Sequence, residues 1–246
     1  MKILALEFST AQRSAAVLSW AKKIPTETGL QCDPERTSEK IETGFGSAAV
    51  MGLIEGVLGE ANVEPEEIDR VAVGIGPGSY SGVRAAIALA QGWQLARGTP
   101  IQGISSMESI AAQCHCEGIR GRMHAVVDAQ RGEFYTDQYE LSIEGCSETG
   151  PLRLVTRAEV ELLGSKGEMV AGPEITGWFP RARNVFPRAA IVGGIALSKQ
   201  NFTAGEKLEP IYLRETSFVK SPLVRSAAGS LGDIGGAQNS CHEAGT

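Results

Sequence analysis

The chain has 246 residues, of which 42% are hydrophobic and 21% are charged. That composition is typical of a globular protein with ample material for a core, in one large domain or two smaller ones. Its formal net charge of −6 excludes the broad positive surface with which free-standing proteins bind DNA or RNA.

The N-terminal segment and the cysteines indicate the compartment. The apolar run from Ile3 to Leu6 ends at Glu7, which is too short for the core of a signal peptide, and no later run approaches the length of a membrane span. The five cysteines are an odd set without the spacing of a disulfide framework. We therefore expect a reduced, cytoplasmic protein.

In chain order, the first half alternates strands and helices. Apolar segments predict strands at residues 2–8 and 14–20, an edge strand within 22–45, and further strands at 71–75 and 100–104. Helical patterns cover 47–61, which Ser47 is placed to cap, 81–97 and about 105–114. This order predicts an α/β fold in which a mixed sheet carries helices on its faces.

The second half opens with a hairpin that repeats the first one. An apolar strand at 123–128 ends in Asp128, as the first strand contains Glu7, and each acid is followed by a small, polar turn and a second strand. The repetition suggests two similar subdomains that face each other across a cleft. A helix at 156–164, a strand at 168–172, a helix at 188–199 and an extended segment at 209–214 follow.

The predicted organisation therefore has three parts. Residues 1–104 form an N-terminal subdomain and residues 105–220 a C-terminal one. Residues 221–246 are rich in Gly, Ser and Ala without periodicity, and we expect them to form a disordered tail.

Segment 74–84, GIGPGSYSGVR, joins a strand to a helix, where nucleotide phosphates bind in many folds. It completes neither G-x-G-x-x-G nor the P-loop pattern, because Val83 follows Gly82 where a P-loop has lysine. We interpret it as a structural turn in which glycine supplies backbone freedom and proline stiffness. The residues of this turn are Gly74, Gly76, Pro77, Gly78 and Ser79.

The helices at 47–61 and 81–97 carry apolar or small residues on more than one side. A helix that covers one face of a sheet normally has a broad polar side. Either both helices are buried within their own domain, or each packs one face on its sheet and another on a partner chain. On the second hypothesis, Ala86→Arg abolishes association without unfolding the chain. The predicted interface residues are Val50, Leu53, Ile54, Val57, Gly82, Ala85, Ala86, Leu89 and Trp93.

Few residue patterns in the chain indicate catalysis. There is no H-E-x-x-H and no G-x-S-x-G, and no second cluster completes a metal site with 114-CHC-116. Glu7 and Asp128 are weak candidates for holding a magnesium–phosphate complex in the cleft. Alternatively, Asp128 caps its own turn. We predict no catalytic residue and no metal site in this chain.

Several segments together resemble one family. The stretch 74–92 is similar to the signature G-P-G-S-[FY]-[ST]-G-[VL]-R of the bacterial TsaB (YeaZ) family. Four further segments match that family in order: 2–18, 104–111, 126–135 and 209–214. The family usually has Asp where this chain has Glu7. The resemblance implies an actin-like, sugar-kinase-like fold of two duplicated subdomains.

The resemblance also implies a function. Members of this family are non-catalytic subunits that dimerise with TsaD and work with the ATPase TsaE. Together they make N6-threonylcarbamoyladenosine (t6A) at position 37 of ANN-decoding tRNAs. The contact with TsaD corresponds to the helices at 47–61 and 81–97. ATP and a metal are then expected in the partner subunits, and tRNA is reached through the complex.

Two other functions stay open on the residues alone. The chain could be a stand-alone nucleotide-dependent transferase or phosphohydrolase that uses Glu7 and Asp128. It could also be a scaffold that forms homodimers through the same two helices when the partner is absent.

Overall fold

The computed structural model of the chain describes residues 1–20, 36–44, 49–199, 202 and 205–213. The described part up to Leu213 belongs to one compact unit. The predicted tail at 221–246 and the predicted cap Ser47 lie outside the described residues.

The first sheet is mixed, as predicted. Its strand order is β3-β2-β1-β4-β5, with β1 antiparallel to β2 and parallel to β4. The continuous apolar run of β1 suits this central position, because both faces of the strand are buried. The predicted edge strand is β3. The strands are β1 (Lys2–Glu7), β2 (Gln12–Ser19), β3 (Arg36–Thr43), β4 (Arg70–Gly74) and β5 (Ile101–Ile104).

Two helices pack on one face of this sheet, α1 (Ala49–Ala61) and α2 (Tyr80–Arg97). The N-terminus of α2 is fixed by the Ser79 hydroxyl, which accepts a hydrogen bond from the Gly82 amide at 3.3 Å. Its C-terminus ends at Gly98 in the left-handed conformation, as the sequence predicted. A short 3₁₀ turn at Pro65–Glu67 leads from α1 into β4.

The second sheet is also mixed, and its strand order is β11-β10-β6-β7-β8, with β9 paired to β7. The predicted hairpin is the antiparallel pair β6–β7. The short strands β8, β9 and β11 were not predicted, because segments of two to four residues show no alternation. The strands are β6 (Gly121–Asp128), β7 (Glu133–Leu141), β8 (Cys146–Glu148), β9 (Arg153–Thr156), β10 (Met169–Gly172) and β11 (Arg183–Asn184).

Two helices cover opposite faces of the second sheet. The helix α3 (Ser106–Cys116) buries Met107 and Ile110 on one face. The helix α4 (Arg157–Ser165) buries Val160 on the other, and a capping box of Thr156 and Glu159 fixes its start. Further 3₁₀ turns lie at Ile175–Gly177 and Gly205–Lys207.

The last helix, α5 (Ala189–Ser198), follows the second sheet in sequence but packs on the first. Its buried residues Val192 and Ile195 lie against Ile3 of β1, on the face opposite α1 and α2. The first sheet ends with β5 at Ile104, and the strands that follow belong to the second sheet. The chain nevertheless returns to the first sheet to complete its core.

The described cysteines differ in state. Cys114 and Cys146 are free thiols, whereas Cys116 is disulfide-bonded. The expectation of a wholly reduced chain is therefore wrong at Cys116. In the part of the chain that the structure describes, no helix is long and apolar enough to cross a membrane.

Candidate functional site

The glycine loop between β4 and α2 closes against the end of β1. A Cβ atom at Gly74 would overlap the carboxylate of Glu7, and one at Gly82 would overlap the Phe8 carbonyl oxygen. Gly78, at φ 156°, leaves no room for a Cβ beside the Ser9 carbonyl. Gly78 and Gly82 are therefore required because the loop and the first turn of α2 approach another backbone closely, and Gly74 leaves room for the Glu7 side chain.

The polar groups of the loop bind the chain itself. The Ser79 amide donates to the Ser9 carbonyl at 2.6 Å, and the Ser106 amide donates to the Gly76 carbonyl at 2.9 Å. Gly76 has φ 84°, and the bond from Gly76 to Pro77 is cis. These contacts are those of a structural turn that joins β1, the loop and α3.

Glu7 lies at the centre of this junction and is fully buried. Its Oε1 accepts from the Ser9 amide and its Oε2 from the Ser106 hydroxyl, both at 2.8 Å. Burial raises the pKa of Glu7, and the hydrogen bonds from Ser9 and Ser106 oppose that rise. The carboxyl group is thus committed to internal hydrogen bonds.

Asp128 caps its own turn, which is the alternative that the sequence left open. Its Oδ1 accepts from the Gln130 amide at 2.7 Å, and the Gln130 side chain donates to Oδ2 at 3.4 Å. Gln130 and Arg131 have φ values of 64° and 62°, a left-handed pair that closes the hairpin tightly. Glu7 and Asp128 therefore have separate hydrogen-bond partners in the structure.

The histidine and cysteine residues of 114-CHC-116 diverge. Cys114 is buried in the core, where burial raises the pKa of its thiol to about 11. The ring Nε2 of His115 lies 2.9 Å from the Ser142 carbonyl oxygen. Within the described ranges, no three His, Cys, Asp or Glu residues are grouped so as to hold a metal ion.

Two buried polar pairs escaped the sequence analysis. Asp137 accepts from the Tyr139 hydroxyl at 2.7 Å inside the second sheet, and burial raises the pKa of Asp137 to about 6. His124 Nε2 lies 2.5 Å from Glu168 Oε2, and this contact lowers the pKa of Glu168. For His124 the available signal was an imidazole side chain within the apolar stretch 123–127, whereas Asp137 lies in a strand with several other polar residues and had no such signal.

Most of the predicted interface residues face the core of the chain itself. Ala85, Leu89 and Trp93 are partly exposed. The other six are buried against the first sheet, so the structure places them where a partner chain does not reach, and Ala86→Arg would disrupt the core. These six are Val50, Leu53, Ile54, Val57, Gly82 and Ala86.

The outer sides of α1 and α2 instead carry another set of small residues. A Cβ atom at Gly52, Gly59 or Gly92 would meet no described atom within 4 Å. Glycine in a helix costs about 0.5–1 kcal/mol relative to alanine, and contacts with the described residues do not explain these three glycines. We call these outer sides the small-residue face; it consists of Met51, Gly52, Glu55, Gly59 and Glu60 of α1 and Arg84, Ala88, Gly92, Leu95 and Ala96 of α2.

Comparisons with known proteins identify the family. A family model described as TsaD, tRNA N6-adenosine threonylcarbamoyltransferase, matches residues 46–202. The protein TsaB of Escherichia coli K12, named for tRNA threonylcarbamoyladenosine biosynthesis, is 24% identical over 87% of this chain and 95% of its own length. TsaB of Bacillus subtilis is 33% identical over 38% of this chain and 40% of its own.

Solved structures agree on the fold. YeaZ from Pseudomonas aeruginosa superposes with a TM-score of 0.71 and 24% identity, over 86% of this chain and 99% of the YeaZ chain. A second structure from the same organism, described as similar to the peptidase YeaZ, has a TM-score of 0.72. The two mixed sheets with flanking helices are consistent with the expected actin-like fold. The chain therefore belongs to the family described as TsaD, tRNA N6-adenosine threonylcarbamoyltransferase, and is similar over most of its length to the TsaB protein of Escherichia coli.

Proposed function

We propose that the chain is a non-catalytic partner subunit for t6A biosynthesis. It dimerises with a TsaD-type transferase and supports threonylcarbamoyl transfer to A37 of ANN-decoding tRNAs in the cytoplasm. A TsaE-type ATPase completes the system. In this proposal ATP and the metal are bound by the partners, and tRNA is bound by the assembled complex.

The small-residue face is the observation that carries the dimerisation. It lies on two helices whose inner sides share one core, so both exposed sides are on the same face of the first sheet. Glycine and alanine at this surface allow another helix to approach closely, which increases van der Waals contact. Leu95 adds an apolar anchor, because 90% of its surface is exposed in the isolated chain.

The arrangement of Glu7 and the glycine loop favours the partner role over a stand-alone enzyme. A group that binds a magnesium–phosphate complex must expose carboxylate oxygens to the ligand. Glu7 is fully buried, and each of its oxygens accepts a hydrogen bond within the chain. Asp128 accepts from the Gln130 amide and so caps its own turn. The loop is likewise filled by contacts with the end of β1.

Reconstituted tRNA modification tests the function. Unmodified tRNA is incubated with the TsaD-type and TsaE-type proteins of the same organism, threonylcarbamoyl-AMP synthase, ATP, threonine and bicarbonate, with and without this chain. We expect the modified nucleoside only when the chain is present. An equal yield without it would contradict the proposal.

Arginine substitutions at two exposed alanines test the small-residue face. Ala88 lies exposed on the small-residue face, and Ala158 lies exposed on α4. We expect Ala88→Arg to weaken binding of the TsaD-type protein at least tenfold, because a long charged side chain is forced into a close helix contact. Ala158→Arg, the matched control, should leave affinity and modification yield unchanged. Equal affinity of both variants would place the interface elsewhere.

A further inference from the structure

One end of the small-residue face carries an aromatic and cationic cluster. Tyr80, the first residue of α2, is 57% exposed and stacks on Tyr212, with ring centroids 5.4 Å apart and an interplanar angle of 27°. Arg84 lies one turn further along α2 and is exposed. Its Nη1 donates to the Tyr80 hydroxyl at 2.9 Å, and its guanidinium carbon lies 5.1 Å from the centre of the Tyr80 ring.

The Arg84 guanidinium is held in place without a carboxylate. Three described arginines lie over a tyrosine or tryptophan ring. Arg97 and Arg157 each also have a carboxylate, from Glu66 at 2.6 Å and Glu161 at 2.8 Å. Among the described residues, by contrast, no Asp or Glu forms an ion pair with Arg84.

The neighbouring tyrosine is also left without a full set of partners. The Tyr212 hydroxyl is buried, and no described residue accepts a hydrogen bond from it with good geometry. Burial and the nearby Tyr80 raise the pKa of Tyr212, while Arg84 opposes that rise. The cluster therefore holds one positive charge, that of Arg84. Because the aromatic rings already restrict the Arg84 side chain, less conformational entropy is lost when it binds a partner.

We propose that Arg84, supported by Tyr80 and Tyr212, is the docking point for a carboxylate side chain of the TsaD-type partner. This inference rests on the proposed function and names the contact that anchors the dimer. The planar guanidinium donates two parallel hydrogen bonds to a carboxylate, and tyrosine and arginine dominate the residues that carry binding energy at protein interfaces.

The surrounding charges favour a protein carboxylate over a phosphate chain. The small-residue face contains Arg84 and two acids of α1, Glu55 and Glu60, of which Glu60 pairs with Lys40 at 3.5 Å, and the whole chain carries a net charge of −6. A nucleic-acid backbone is bound by several cations acting together. A single arginine on this face matches one carboxylate at a defined position.

Affinity measurements with the full chain and the TsaD-type protein test the inference. Titration calorimetry at low and high salt compares the wild type with Arg84→Gln and Arg84→Lys. We expect Arg84→Gln to raise Kd at least about tenfold at low salt, because it leaves the partner carboxylate desolvated and unpaired. Arg84→Lys should lose less affinity, because it keeps the charge but not the paired geometry. The salt dependence of Kd should be weaker for Arg84→Gln than for the wild type.

Arg157→Gln is the matched control, because Arg157 also lies over an aromatic ring but already has Glu161 as a partner. It should leave Kd unchanged. The thermal midpoint of isolated Arg84→Gln should equal that of the wild type, since the side chain is exposed. A charge exchange then identifies the partner group: Arg84→Glu loses binding, and one acid-to-arginine variant of the TsaD-type protein restores it.

Three results would overturn the inference, and they are distinguishable. If wild-type chain does not bind the TsaD-type protein, the proposed function fails and the docking point fails with it. If the wild type binds and Arg84→Gln binds equally well at both salt concentrations, the docking point alone is wrong. If Arg84→Gln leaves this Kd unchanged but weakens tRNA binding by the assembled complex, the anion is a phosphate and not a carboxylate.

Discussion

Glu7 and Asp128 occupy equivalent places in two hairpins, and their hydrogen bonds are alike. Each carboxylate accepts from the backbone amide two residues further on, Ser9 in one hairpin and Gln130 in the other. Their surroundings differ, because Glu7 is closed in by Gly74 and Ser106, whereas the turn after Asp128 is exposed. The same hydrogen bond, donated to a carboxylate by the amide two residues later, is thus buried in the first hairpin and lies in a surface turn in the second.

A buried carboxyl group in the second half makes the stability of the chain depend on pH. Asp137 is 4% exposed, and desolvation raises its pKa from 3.8 to about 6, with Glu148 and Glu108 adding to the rise. The folded chain therefore holds this proton at pH values where the unfolded chain has released it. Stability from this group is greatest below about pH 4 and falls as the pH rises through 6.

Asp137→Asn tests this pH dependence. Each pH unit between the two pKa values corresponds to about 1.4 kcal/mol. The free energy of unfolding of the wild type minus that of Asp137→Asn should therefore fall by roughly 2–3 kcal/mol between pH 4 and pH 7. Urea denaturation of both proteins across that range measures it. A difference that does not change with pH would show that Asp137 is not desolvated in the folded chain.

At the scale of elements, the helix α2 has a buried inner side and an exposed outer side that both carry small residues. Its inner side, with Val83, Ala86 and Ala90, packs on the first sheet. Its outer side carries Ala88 and Gly92, which are exposed, and a Cβ atom at Gly92 would meet no described atom within 4 Å. A helix with small residues all round can thus be buried on one side and remain exposed on the other.

Gly92→Ala should have opposite effects on stability and on binding. Alanine is the better helix former and its Cβ meets no described atom, so the isolated chain should gain about 0.5–1 kcal/mol in urea denaturation. In the complex the added methyl group should weaken affinity for the TsaD-type protein. The methyl group overpacks the close helix contact, which costs about 1–3 kcal/mol of binding free energy.

Gly164 of α4 supplies the control for this pair of measurements. A Cβ at Gly164 also meets no described atom within 4 Å, and the residue lies on the second half of the chain. Gly164→Ala should leave affinity unchanged. If Gly92→Ala stabilises the chain without any loss of affinity, α2 does not approach a partner closely at this position.

At the scale of the whole molecule, α5 ties the end of the described chain to the first sheet. The Ala189 amide donates to the Ser14 hydroxyl at 2.8 Å, and the Ala190 amide donates to Glu39 Oε1 at 3.1 Å. Arg188 forms an ion pair with the other oxygen of Glu39, whose side chain is 6% exposed. The helix α5 follows the second sheet in the chain, and the hydrogen bonds at its N-terminus attach it to the first sheet.

Glu39→Ala should destabilise the whole described unit by about 2–3 kcal/mol, because it removes a nearly buried carboxylate that accepts hydrogen bonds from Arg188 and from the Ala190 amide. Glu161→Ala is the comparison, since Glu161 pairs with Arg157 at the surface, where their side chains are 54% and 53% exposed. That variant should lose less than about 1 kcal/mol. Urea denaturation compares the two, and equal losses would mean that the anchoring of α5 contributes no more than a surface ion pair.

The sequence by itself determined the local elements and the family. Alternating or continuous apolar segments located β1, β2, β4 and the β6–β7 hairpin, and the helix predicted at 81–97 agrees with α2 to within one residue. The interpretation of the glycine loop as a structural turn also came from the sequence, because its pattern lacks the lysine of a P-loop and the third glycine of G-x-G-x-x-G. These properties depend on neighbouring residues, which a sequence shows directly.

Only the tertiary structure decided which side of each helix is exposed. Apolar or small residues lie on more than one side of α1 and α2, so their hydrophobic pattern does not show which side faces the sheet. Six of the nine predicted interface residues are buried within the chain itself. The return of α5 to the first sheet and the burial of both Glu7 oxygens were equally hidden. Each depends on contacts between residues far apart in the chain, and the packing of the folded sheets alone fixes those contacts.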